Sequence, residues 1–167
     1  FTTNYLEYDA ILENLRARSL NSFRKYNSVL ESRLFGEFFG SGTESDFTSK
    51  SVLDIKSARV GSKVVGDSTV YVYGDRSKYS VRAKLFNDAM VGKLEIDTDK
   101  SIKKNNSSLD VTTKNIEVPV LLALLVGDKS LQKKFNGVLN FDLSSNFNPY
   151  NLTNLDAKLN LLELSIF

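Results

Sequence analysis

Beyond residue 50 the chain alternates apolar and polar residues with a period of two. In "YSVRAKLF", Tyr79, Val81, Ala83 and Leu85 alternate with Ser80, Arg82 and Lys84. In "VGKLEIDT", Leu94 and Ile96 alternate with Lys93, Glu95 and Asp97. Leu109 and Val111 alternate with Asp110 and Thr112 in "SSLDVTTK"; Leu139, Phe141 and Leu143 alternate with Asn140, Asp142 and Ser144 in "GVLNFDLSS". "SVLDIKSA" and "TVYVYG" read as strands of the same sort, and "GDRSK", "FNDA" and "DKSIKKNN" read as the turns between them. Successive side chains of a strand point to opposite faces, so these runs predict an antiparallel sheet of six to eight strands with one apolar and one polar face.

Three stretches depart from that period. In the first forty residues Tyr8, Leu12, Leu15, Phe23, Tyr26, Leu30 and Leu34 recur at three- and four-residue steps. That spacing predicts an amphipathic helix over 1–39, capped by Asn4 with Glu7, and a loop at 40–50 follows it. The run Val118–Val126 has no polar face at all, with Pro119 near its start and Gly127 after its end. It predicts a short buried helix within 117–127 that plugs one end of the sheet. At the C-terminus Ala157, Leu159 and Leu161 alternate in one phase and Leu162, Leu164 and Ile166 in the other, as at a bulge or in a strand buried on both faces. The fold class read from these patterns is α+β: a twisted or curved, mainly antiparallel sheet with an apolar concave face and helices over that face.

Composition narrows the chemistry. The 167 residues, 41% of them hydrophobic, suffice for one domain spanning 1–167. The start at Phe1 and the apolar end "LNLLELSIF" suggest a portion excised from a longer chain. The longest apolar run is about half of the roughly 20 residues a spanning helix needs. Histidine and cysteine are both absent, which removes the commonest general base, the thiolates and the commonest transition-metal ligands. Ser107, Ser108, Ser144 and Ser145 have no histidine to activate them, and Glu95, Asp97 and Asp99 read as a solvated strand face. No catalytic residue, metal site or cofactor is predicted, and the expectation is a protein that is not an enzyme. The net charge of +2 comes from 22 basic and 20 acidic residues interleaved along the chain, so nucleic acid is not an expected partner.

Residues 79–161 resemble the AsmA family of Gram-negative envelope proteins, which includes TamB-like proteins. The resemblance rests on "YSVRAKLFNDAMVGKLEIDTDK", "SSLDVTTKNIEVPVLLALLVGDKSL" and "FNGVLNFDLSSNFNPYNLTNLDAKLNL". Gly92, Asn115, Ile116, Pro119, Leu121, Leu122, Leu125, Gly137, Leu139 and Leu143 occupy the steps of the family's strand, Leu-rich helix, strand pattern. "LQKKF" stands where the family has a compact turn. The resemblance covers about half the chain and implies a periplasmic protein attached to the inner membrane through an anchor outside this sequence. It also implies an apolar groove that takes phospholipid acyl chains, with roles in lipid transport between membranes or outer-membrane biogenesis. The groove candidates are Val81, Ala83, Leu85, Leu94, Ile96, Leu109, Val111, Leu139, Phe141 and Leu143. An assembly module that docks other envelope proteins at its sheet edges, including a secretion-system component, is the competing expectation.

Overall fold

The computed structural model describes residues 4–16, 30–43, 45–60, 63–99, 106–126 and 136–166. They form ten strands and one helix: β1 (Tyr5–Arg16), β2 (Leu30–Thr43), β3 (Thr48–Val60), β4 (Lys63–Gly74), β5 (Lys78–Leu85), β6 (Met90–Asp97), β7 (Ser107–Thr113), β8 (Ile116–Glu117), α1 (Val118–Val126), β9 (Gly137–Asn148) and β10 (Asn151–Ile166). All belong to a single open antiparallel sheet in the order β1-β2-β3-β4-β5-β6-β7-β9-β10, with β8 also paired to β9. Each strand pairs with the next in sequence except β7, which pairs with β9, as the short β8 between them also does.

The predicted N-terminal helix is not found among the described residues. Residues 5–16 and 30–43 are strands paired to one another, and Phe23 and Tyr26 lie outside the described residues. The predicted loop at 40–50 is instead a tight turn, with Gly40–Thr43 inside β2 and Thr48–Lys50 inside β3. The three- and four-residue spacing has a different cause. Tyr8 and Leu12 share a strand face because four is an even number, and Leu12 and Leu15 share it because a bulge between them adds one residue. Asn14 takes the left-handed conformation (φ 54°) within that bulge.

The same device recurs along the sheet. Register shifts fall between Ile55 and Ala58, where Ser57 has φ 54°, and between β7 and β8, where Asn115 has φ 53°. Another falls between Leu161 and Glu163, which is the phase slip visible in the C-terminal sequence. At three of these bulges (Leu12/Leu15, Ile55/Ala58 and Leu161/Leu164) the apolar residues on either side are three apart, and the extra residue returns the second one to the same face. Leu161 faces Phe141 and Leu164 faces Leu139 across the β9–β10 ladder, for instance.

The helix explains the run of nine apolar residues. The β5–β6 hairpin is short and turns at Phe86–Ala89, where the Asn87 amide donates to the Asp67 carbonyl (2.8 Å) and the Lys114 amide to that of Ala89 (2.8 Å). Strands β4 and β8 run on beyond this turn, so a notch opens between them. Helix α1 fills it: Val120 and Ala123 pack on Val60, with Val65 beside them, and the Lys63 ammonium pairs with the Glu117 carboxylate across the gap. Only one side of α1 is buried, since Leu125 and Val126 are 67% and 58% exposed.

Candidate functional site: the uncovered apolar face

Cross-strand partners share a face, so the register alone assembles the apolar surface. One row runs Val72, Val81, Leu94, Leu109 and Ser145 across β4, β5, β6, β7 and β9. A second runs Val70, Ala83, Gly92, Val111, Leu143 and Leu159, reaching β10. Tyr79 pairs with Ile96, Leu85 with Met90, Phe141 with Leu161, and Leu139 with both Ile116 and Leu164. All ten groove candidates from the sequence therefore lie on one face, and all ten are half-buried.

The face extends further than the sequence pattern suggested. Leu6, Tyr8, Ala10, Leu12 and Leu15 of β1, Leu34 and Phe38 of β2, and Leu53 and Ile55 of β3 join it through the pairings of β1 to β4. Their signal was present in the sequence, where "LEYDAIL" and "LFGEFFG" alternate, but the helical spacing of the same residues masked it. Two glycines on this face serve close packing. Tyr8 lies over its partner Gly40 and Tyr79 over its partner Gly74, each ring so near that a Cβ on the glycine would collide with it. The Tyr8 ring also stacks on Phe47, centroids 6.1 Å apart.

Among the described residues little covers this surface. Among the described residues the buried apolar side chains are Leu34, Ala58, Val60, Ile116, Val120 and Ala123, and the last three belong to β8 and α1 at one end of the sheet. On β10, Leu159, Leu161 and Leu164 are 65%, 59% and 50% exposed. The chain exposes 11168 Å², whereas a compact monomer of this mass exposes about 8,300 Å². Contiguous exposed apolar surface beyond a few hundred Å² marks a place where something binds.

Three hydroxyls of this face bond the sheet's own backbone, while the buried Ser145 Oγ has no hydrogen-bond partner among the described residues. Ser68 Oγ accepts from the Phe86 amide (2.9 Å), Ser107 Oγ from the Asp97 amide (3.0 Å) and Thr113 Oγ1 from the Phe141 amide (2.8 Å). Carboxylates are likewise engaged locally. Glu95 accepts a hydrogen bond from Lys93 (2.8 Å), and that bond together with the ammonium's charge holds it below the usual glutamate range; Asp97 accepts from the Asp99 amide (2.9 Å). Among the described residues no three His, Cys, Asp or Glu side chains converge on a metal-sized site, and no helix is long and apolar enough to cross a membrane.

The opposite face carries Lys78, Ser80, Arg82, Lys84, Lys93, Glu95, Asp110, Asn140, Asp142, Lys158 and Asn160, with Ile11, Phe35, Phe39, Val52, Tyr71 and Tyr73 towards β1–β4. The largest described cavity, about 900 Å³, opens mainly among side chains of this second face, over β3–β6. No protein-family model, curated protein or solved structure matches the chain.

Proposed function

We propose that this chain is a lipid-binding or lipid-conducting module of an AsmA-like envelope protein, working in the periplasm beside the inner membrane. In that role it moves phospholipid between membranes or contributes to outer-membrane biogenesis, and it binds without catalysing a reaction. The observation that carries the reading is the apolar face, which runs from β1 to β10 and which, among the described residues, α1 covers at one end only. Each methylene withdrawn from water onto such a surface contributes about 0.8 kcal/mol. An acyl chain laid along the rows of Val81, Leu94, Leu109 and of Ala83, Val111, Leu143 therefore gains with every carbon it adds. In this reading the apolar face is the groove that the family resemblance implies, with the ten candidate residues as its lining.

Photo-crosslinking in living cells tests the reading, with a reactive residue at Leu94, Leu139 or Phe141 and at the neighbours Lys93, Asn140 or Asp142. Apolar-face positions capture phospholipid and their neighbours do not, because one step along a strand reverses the face. Equal lipid capture at Leu94 and Lys93 refutes the proposal. The second reading, assembly by strand addition, is favoured by β10, a 16-residue strand with an unpaired outer edge and exposed leucines. It predicts protein adducts concentrated on β10 and no lipid adducts with alternating parity.

A further inference from the structure

The cavity over β3–β6 lies on the other side of the sheet from the apolar face, and its side chains have a consistent chemistry. Cross-strand register sets Lys50 opposite Tyr73, Tyr71 opposite Arg82, and Arg82 opposite Lys93, while Lys84 follows Arg82 on β5. Four cations thus line one cavity against a single carboxylate, Glu95. That local excess of three positive charges exceeds the net +2 of the entire chain. Lys93 is engaged by Glu95 (2.8 Å) and Lys84 by Asp88 (3.6 Å). Neither Lys50 nor Arg82 makes a direct ion pair among the described residues, although Arg82 lies near enough to Glu95 to help lower its pKa. Tyr71 and Tyr73, 47% and 51% exposed, stand on the cavity wall as rigid, half-apolar surfaces with phenolic donors at their tips.

We infer that this cavity is a phosphate-binding site, with Arg82 and Lys50 as the anion-contacting groups and Tyr71 and Tyr73 flanking the organic part of the ligand. A guanidinium presents a planar fork of donors that matches two phosphate oxygens, and an ammonium adds a point charge beside it. A volume of about 900 Å³ admits a phosphate with its attached alcohol or sugar. Phosphate of this kind is available from a phospholipid headgroup or from a soluble organophosphate. The inference is independent of the acyl-chain reading, because Lys50, Tyr71, Tyr73 and Arg82 all lie on the opposite face from the groove candidates.

Two probes separate the sources: sedimentation with phosphatidylcholine vesicles, with and without phosphatidylglycerol, and titration of soluble glycerol phosphate followed by the Arg82 side-chain NMR signal. Binding to the phosphatidylglycerol vesicles, competed by glycerol phosphate, identifies a headgroup. Binding of glycerol phosphate without vesicle binding identifies a soluble ligand and equally supports the site. In either case Arg82→Gln and Lys50→Gln each weaken binding about tenfold. Lys158→Gln removes the same charge from the same face outside the cavity and leaves binding unchanged. No binding of either probe, or an equal loss in Lys158→Gln and Arg82→Gln, overturns the inference.

Discussion

Truncating Val120 to alanine isolates what α1 contributes to the sheet. Val120 is 3% exposed and packs with Ala123 and Val60, both fully buried, in the notch above the β5–β6 turn. The substitution removes two buried methyl groups, about 1.6 kcal/mol at 0.8 kcal/mol each. The unfilled space adds about 1 kcal/mol, since the rigid ends of β3 and β4 limit collapse around it. The total, about 2–3 kcal/mol, lowers the melting temperature of a chain this size by about 5–10 °C. Val126→Ala is the matched control, because that residue is 58% exposed on the same helix. It costs no more than about 0.5 kcal/mol. Urea titration with an unchanged denaturant slope measures both values. Equal losses at the two positions refute the packing of α1 into the notch and leave the apolar run without a structural partner.

Gly66→Ala destabilises the sheet by about 1–3 kcal/mol, because Gly66 has φ +98° and a Cβ there collides with the Asn87 side chain; hydrogen exchange at the Asp67 and Asn87 amides reports the loss, and unchanged protection refutes it. At the β4–β5 turn the Ser77 and Lys78 amides donate to Asp75 Oδ1 at 2.9 and 2.8 Å, which holds the Asp75 pKa below its ordinary 3.8. This contribution is present above the unfolded carboxylate's pKa and lost as pH falls through the lower, folded value. Turn amides therefore lose protection in acid in the native chain, and Asp75→Asn abolishes that pH dependence. Leu161→Lys, at a position 59% exposed, changes stability by no more than about 0.5 kcal/mol while reducing hydrophobic-dye binding and self-association. A large fall in melting temperature for that variant shows instead that β10 is covered.

Strands β5, β6, β7 and β9 were legible in the sequence because alternation is a local property; the two-residue β8, half of which was read as helix, was not. A period of two needs no knowledge of the partner strand, and Val81, Leu94, Leu109 and Leu143 share a face once neighbouring strands pair in register. Helix α1 was legible for the same reason, since Pro119, a continuous apolar run and Gly127 all lie within ten residues of one another. The first two strands were not. A four-residue step is shared by a helix face and a strand face, and a bulge turns a strand's two-residue step into three. Tyr8, Leu12 and Leu15 therefore satisfy both periods, and only pairing with Gly40, Gly36 and Leu34 decides between them. Gly36 and Gly40 were the local signal against helix, each disfavouring it by about 1 kcal/mol. The location of the one short helix, in a notch left by a hairpin that stops early, depends on the relative lengths of β4, β5, β6 and β8. The convergence of Lys50, Arg82, Lys84 and Lys93 has the same origin: residues spread over 44 positions of sequence meet because antiparallel ladders bring four strands side by side. Charge along the chain is evenly interleaved, and pairing across the sheet, which no local pattern encodes, gathers it into one place.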